Sequence, residues 1–491
     1  MNTRITLTAL ALILSAGWAM AQQPSLQYFR PWDKEGINVF EPSKKADQPE
    51  FSGFKLRIGG AFTQDFQSLR HSNRAAYSPV STSNNTNKNL LYGVIKAEDS
   101  TSARLTGFNL AMANLNFDFQ IADGIRVSLE NYMSSRHHSE FWVKGGYIMI
   151  DKLPMFGEQK WFDDYFRVKI GHFQPNFGDA QFRRSDGGNT MFNPFVENYI
   201  LDAFTTEIGG EVYVFPADGF MGMIGMTSGF INGNIENYAE TNNNFGVVPT
   251  KKSPSITAKV AYDKTYDDLR VRLSASYYNN PNIQRNTLYA GDRTGSHYFM
   301  VMETAVQPGT GTASAAGSQF TSGRFNPNLA NRVQAIMINP FIKFKGLEVF
   351  GTYEILSGSI YGDTLKTDGV ATWEKRSFNQ MAVDAVYRFL KNEQAYVGMR
   401  YVKVKGQPDG IAFKEATGDR KEVNITRMAI SAGWFPTKNL LLKGEWVAQT
   451  YGGFPVGDYR NDSEPTNLGN LFDKDRPVGF GGFVVSAVVG F

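Results

Sequence analysis

The chain has no cysteine in 491 residues, which excludes disulfides, thiolate metal centres and a lipid-modified cysteine at the N-terminus. Histidine is scarce, at five. The adjacent His137 and His138 follow Arg136 in a short connection and alternate to opposite sides of an extended backbone, so they do not read as a ligand pair. Beyond the N-terminus no run of about 18 apolar residues occurs, so any membrane crossing has to be made by strands. An excess of one charge is also missing. Lys and Arg total 50 against 47 Asp and Glu, a net +3, which gives no bulk field to attract nucleic acid. There is no Walker A loop, no G-x-G-x-x-G opening a helix, no G-x-S-x-G elbow and no H-E-x-x-H pair. No catalytic residue, metal site or cofactor is therefore expected.

Glycine, at 48 residues, and aromatics, at 14%, are plentiful, as many strands and turns require. Residues 1–21 carry Arg4, an apolar stretch from Ile5 to Leu14, then Ala19-Met20-Ala21, the order of a cleavable secretory signal. Residues 22–53 are polar and broken by Pro24, Pro31, Pro42 and Pro49, an irregular periplasmic leader with the option of entering a lumen. From Lys55 the pattern changes to period two, with Leu56, Ile58 and Phe62 on one face and Lys55, Arg57, Thr63 and Asp65 on the other.

This alternation recurs in pairs joined by short turns, clearest at Ala122-Asp123-Gly124 and also at Lys345-Gly346 and Pro436 to Asn439. The opposite connections are long: Arg70 to Ala103, Gln174 to Asp202, Ile231 to Lys252, Asn279 to Asn331, Gly358 to Arg376, Gly406 to Lys421 and Gly452 to Pro477. The fold class is all-β. Residues 54–491 read as a transmembrane antiparallel β-barrel of about sixteen strands, with short periplasmic turns and long extracellular loops. About eighteen strands result if His297 to Met302 pairs within its loop as a further hairpin. The last strand alternates Phe483, Val485, Ala487, Val489 and Phe491, and its terminal aromatic resembles the signal read by the barrel-assembly machinery. A signal peptide with such strands places the chain in the cell outer membrane, among lipid.

Lipid cannot solvate charge, so the apolar face looks outward and the opposite parity lines the lumen. That selects Arg57, Arg126, Arg167, Lys169, Arg270 and Arg272, together with acidic residues such as Asp65, Asp118, Glu130, Glu211 and Glu354, a mixed wall. Trp142, Tyr165, Phe166, Tyr213, Phe215, Tyr387, Phe389, Trp434 and Phe435 stand near strand ends and suit interfacial girdles. The connection at about 174–202 turns at Gln174-Pro175-Asn176-Phe177-Gly178 and then offers the donor-rich pair Arg183-Arg184. Asp179 and Asp186 are near enough in sequence to neutralise them.

Phe166 to His172, the Phe173-to-Gly178 turn, Arg184-Ser185-Asp186 and Thr205 to Phe215 resemble the phosphate-selective O/P type porins, including relatives from Bacteroidetes. What the resemblance implies is a sixteen-stranded homotrimeric channel with a basic lumen, passing small anions, with Arg183 and Arg184 as residues of its third loop. Porins commonly fold that loop into the barrel, and the donor-rich pair Arg183-Arg184 is expected at the pore constriction. Phosphate-selective members carry a basic cluster down the pore and a coiled-coil-prone extension. This chain has a mixed wall and a leader without heptads. The expected function is passive diffusion of small hydrophilic solutes with a weak anion preference. The alternatives are an outer-membrane barrel enzyme, or a surface-display adhesin barrel with a plugged lumen.

Overall fold

The computed structural model describes residues 23–30, 38–71, 103–135, 137–229, 253–283, 285–289, 294–299, 301, 323–360, 364–367, 370–408, 419–454 and 478–491. The expected signal peptide, Arg136, and the side chains of His137 and His138 lie outside the described residues.

Strands run as Lys55–His71 (β1), Ala103–Ala122 (β2), Ile125–Ser134 (β3), His137–Ile150 (β4), Phe166–Phe173 (β5) and Glu207–Val214 (β6). There follow Phe220–Thr227 (β7), Ser255–Tyr266 (β8), Leu269–Asn280 (β9), Arg332–Phe344 (β10) and Leu347–Ser359 (β11). Thr364–Thr367 (β12) and Val370–Trp373 (β13) form a small separate hairpin. Arg376–Phe389 (β14), Ala395–Gly406 (β15), Val423–Thr437 (β16), Leu440–Gly452 (β17) and Val478–Gly490 (β18) complete the chain. Every barrel strand pairs antiparallel with its neighbours, and β18 pairs with β1, closing a barrel of 16 strands. The described residues of His297 to Met302 form no strand, so the larger count does not arise. The hairpin β12–β13 stands in the loop between β11 and β14, outside the barrel sheet.

Closure falls on the last residue. Phe491 and Gly60 exchange two backbone hydrogen bonds of 3.0 Å each, and a Cβ on Gly60 would stand 2.5 Å from the Asn114 carbonyl oxygen. Only glycine fits where three chain segments approach this closely. Along β18, Phe483, Val485 and Val489 are exposed, whereas Val484, Ser486 and Val488 are buried. The outer face is apolar around the barrel, as at Ile224, Val260, Leu273, Ile336 and Met399. Lipid, not water, is the solvent that such a belt fits.

Parity also corrects part of the expected girdle. Tyr165, Tyr387, Phe389 and Trp434 do face outward. Tyr213, Phe215 and Phe435 are buried on the inside, because the first two share parity with inward Glu211 and the third follows outward Trp434. Trp142 likewise packs inward against Leu110, Met112 and Tyr132.

The two halves of the inner wall differ. From β1 to β9 it is largely polar: Thr63, Asp65, Asn114, Asp118, Arg126, Arg167, Glu211, Lys259 and Arg272 are buried there. From β10 to β18 apolar side chains also point inward, among them Met337, Phe341, Phe350, Val386, Val404, Ile425, Val447 and Val488. This apolar half is covered by chain folded into the barrel. Phe192, Phe195 and Ile200 of the third loop, Leu288, Tyr298 and Leu329 of the fifth, and Phe40 of the leader share one core with it. Each such burial stabilises by roughly 2 kcal/mol, which opposes the chain entropy of ordering long loops.

Candidate functional site

The third loop spans residues 174–206, between β5 and β6. It leaves the wall at Gly178, which adopts φ +70° with the Met337 side chain directly over the place a Cβ would take. The loop then descends through three short 3-10 turns, Ala180–Arg183, Ser185–Gly187 and Asn189–Met191. Its backbone is gripped by inward side chains of the far wall. Lys443 donates to the Phe195 and Asn193 carbonyls at 2.9 and 3.1 Å, Arg400 to Glu197 at 2.6 Å, and Arg427 to Asn198 at 2.7 Å. Glu445 accepts the Val196 N–H at 2.8 Å, and Gln380 both accepts from and donates to Leu201. Wall charges thereby satisfy backbone groups that have no sheet partner.

At the loop's entry Asp179 meets Arg272 at 2.8 Å and Lys259 at 2.7 Å. The same two cations hold Glu41 of the leader, Lys259 at 2.8 Å and Arg272 at 2.7 Å. The leader's described residues thus reach into the lumen. Asn38 donates to Glu348 at 3.0 Å, and Phe40 stacks on Phe350 and meets Phe182 and Phe341 edge to face. Gln27 ties the leader to the β2–β3 turn through Gln120 at 2.9 Å and Asp123 at 2.8 Å.

All six expected wall cations have inward parity. Arg270 pairs with Asp263 at 2.6 Å, Arg272 with Asp179, and Arg167 with Asp151 at 2.8 Å. Lys169 stands 3.7 Å from Glu211 and lies over the rings of Tyr147 and Phe173. The guanidinium groups of Arg57 and Arg126 lie 4.5 and 5.3 Å from the Phe29 ring centre.

Arg183 and Arg184 sit inside the barrel, 4% and 3% exposed. Arg183 pairs with Asp384 at 3.7 Å, donates to the Asn38 carboxamide oxygen at 3.1 Å and lies over Phe350. Arg184 pairs with Asp186 at 2.8 Å and with Asp202, and donates to the Thr294 carbonyl at 3.0 Å. Asp186 is shared with Lys144 at 2.7 Å. Both arginines are thus engaged in binding the third loop to its surroundings.

Open space remains on the polar side. A cavity of about 1260 Å³ of non-atom space, open solvent included, is bounded by the leader, β2–β6 and one face of the third loop. The loop contributes Gln174, Asn176, Gln181, Phe182, Asp186 and Asn189 to it, while the wall contributes Asn114, Asn116, Asp118, Arg126, Glu130, Lys144, Arg167 and Lys169. The loop's carboxamides were missed from sequence, since single Asn and Gln residues in a loop carry no periodic signal. Among the described residues no group of three or more potential ligands could hold a metal ion.

A closed sixteen-strand barrel with an apolar belt and a polar cavity is an outer-membrane β-barrel. No family model matches the chain, and no curated protein matches it. Among solved structures, an anion-selective porin from Comamonas acidovorans is similar at 11% identity, covering 89% of this chain and 100% of that one, with a TM-score of 0.46. The outer membrane channel DcaP of Acinetobacter baumannii has 11% identity, covers 91% and 100%, and has a TM-score of 0.46. OprB of Pseudomonas putida has 10% identity, covers 89% and 94%, and has a TM-score of 0.44. The barrel itself is established by the register of this chain's own strands.

Proposed function

We propose that the protein is a porin, a passive diffusion channel for small hydrophilic solutes, and not an enzyme. The observation that carries this reading is the polar cavity along β2–β6, which the third loop narrows from one side with carboxamides. A diffusing solute needs such weak, replaceable hydrogen-bond partners, because tight binding would stop conduction. The constriction is assigned to the third loop, with Arg183 and Arg184 as the inner frame that fixes its position. A weak anion preference is assigned to wall cations that border the passage, chiefly Arg126 and Lys169.

Purified protein in a planar bilayer is expected to give ohmic current steps in potassium chloride, and absence of any conductance sinks the proposal. Removing residues 24–50 takes Phe40 and Glu41 out of the lumen and is expected to enlarge those steps. The homotrimer implied by the resemblance is carried with the proposal and is tested by cross-linking in outer-membrane fragments.

The filled half of the lumen favours a second reading, a display barrel that passes nothing. The bilayer measurement separates the two.

A further inference from the structure

Within the lumen most charges are matched. Arg388 meets Glu348 at 2.9 Å, Arg400 meets Asp384 at 2.7 Å, and Arg272, Arg167, Lys259 and Lys144 have the partners given above. Three groups on the cavity wall depart from this pattern. Arg126, 7% exposed, has neither a hydrogen bond nor an ion pair among the described residues, and its Nε is buried without a partner. Asp118, 8% exposed, accepts one hydrogen bond from Ser128 at 2.5 Å and meets no cation within ion-pair distance among the described residues. Among the described residues Glu130 accepts from the Tyr147 hydroxyl alone, at 2.9 Å. All three line the open cavity.

The register orders these charges along the wall. Arg126 faces Gln120 of β2 and Met149 of β4, and Met149 faces Lys169 of β5, so the two cations share one rung. Asp118 lies opposite Ser128, one rung on, and Glu130 opposite Asn116, one rung further. Arg126 and Lys169 thus share one level and the two carboxylates the next two, with Arg57 of β1 opposite Asp118 outside the cavity lining. From Arg126 to Glu130 is four residues of strand, roughly 13 Å. Among the described residues Arg126, Asp118 and Glu130 each line the open cavity without an ion pair in contact, which fits a solute bringing both signs itself. A lone anion would meet Asp118 and Glu130 as repulsive neighbours.

We propose that this ladder is a binding site for short zwitterionic peptides, with the carboxylate on Arg126 and Lys169 and the ammonium on Asp118 and Glu130. An extended dipeptide separates its terminal charges by roughly 7 Å, and a hydrogen bond of about 2.8 Å at each end brings the span close to that of the ladder. A free amino acid is too short to reach from Arg126 to Glu130. Asn116 and Asn131, on the same cavity, supply donors and acceptors for the peptide unit. The inference rests on the channel reading.

The test is swelling of proteoliposomes containing the full-length protein, after ohmic conductance in potassium chloride has been recorded. The solutes are alanyl-alanine, its N-acetyl derivative, its C-terminal amide and a neutral disaccharide. Alanyl-alanine is expected to enter about fivefold faster than either singly charged derivative, the worth of one modest ion pair. Arg126→Gln is expected to remove its advantage over the amide, and Glu130→Gln its advantage over the N-acetyl form. Heat-modifiable mobility on gels verifies that each variant is a folded barrel. Equal rates for the three peptides, or fastest entry of the N-acetyl form, overturn the zwitterion site and leave the channel standing. Absence of conductance overturns both.

Discussion

Arg272 of β9 holds Asp179 of the third loop through two parallel hydrogen bonds, Nε to Oδ2 at 2.8 Å and Nη2 to Oδ1 at 2.9 Å. Parity marks Arg272 as a pore-lining cation. In the barrel it is an anchor, closing a four-charge cluster in which Lys259 and Arg272 face Asp179 and Glu41. Arg272→Ala leaves two buried carboxylates with one cation, a loss of about 3 kcal/mol for a pair of this kind. Lower resistance to urea in detergent and larger, noisier conductance steps are expected. Steps indistinguishable from those of the parent would show that Asp179 does not need Arg272 to keep the loop in place.

The double variant Arg183→Ala, Arg184→Ala is expected to leave ion preference almost unchanged, because both side chains are engaged with Asp384, Asp186 and Asp202. Arg126→Ala with Lys169→Ala is expected to shift preference toward cations. Reversal potentials across a salt gradient report both. A large shift from the first pair would return the selectivity to the loop arginines.

Acid is expected to loosen the interior in a defined window. Burial pushes the Asp186 carboxyl up, but Arg184 and Lys144 outweigh it and hold it at about 2. Burial opposes Arg272 and Lys259 in the same way at Glu41, also held at about 2. Folded values below the ordinary carboxylate values, roughly 4, mean stability that is complete above about pH 4 and lost as pH falls toward 2. Intrinsic fluorescence and channel noise recorded from pH 6 downward are expected to stay flat until about pH 4 and to change below it. A transition near neutrality would exclude these two carboxylates as its origin.

Phe491 projects its ring outward, while its backbone closes the barrel on Gly60. Phe491→Ala keeps the two backbone hydrogen bonds. Refolding in detergent is therefore expected to be close to that of the parent, while insertion into the outer membrane of cells is expected to fall severalfold if the ring is read during assembly. Gly60→Val is expected to fail in both settings, since its side chain collides with the Asn114 carbonyl. Normal cellular insertion of Phe491→Ala would remove the ring from the assembly signal.

Much of the barrel was legible from alternation alone. Lys55 does begin the first strand, the short turn at Asp123-Gly124 does join β2 to β3, and Phe483 to Phe491 do keep one face outward. These follow from local chemistry, because a strand has period two and lipid tolerates no exposed charge. The interior was legible only where it is charged. In β10, Ile336, Ile338 and Ile342 face out while Ala335, Met337 and Phe341 face in, and a strand apolar on both faces gives no sign of what covers its inner one. Closure of the sheet brings Phe195, Tyr298 and Phe40, distant in sequence, onto that inner face. It also seats Arg183 and Arg184 against Asp384, Asp186 and Asp202. The sequence by itself determined the strands, their facing and their membrane. Only the tertiary structure decided which half of the lumen is filled and which charges meet which partners, because both depend on contacts between residues hundreds of positions apart in the chain, such as Lys443 with Phe195.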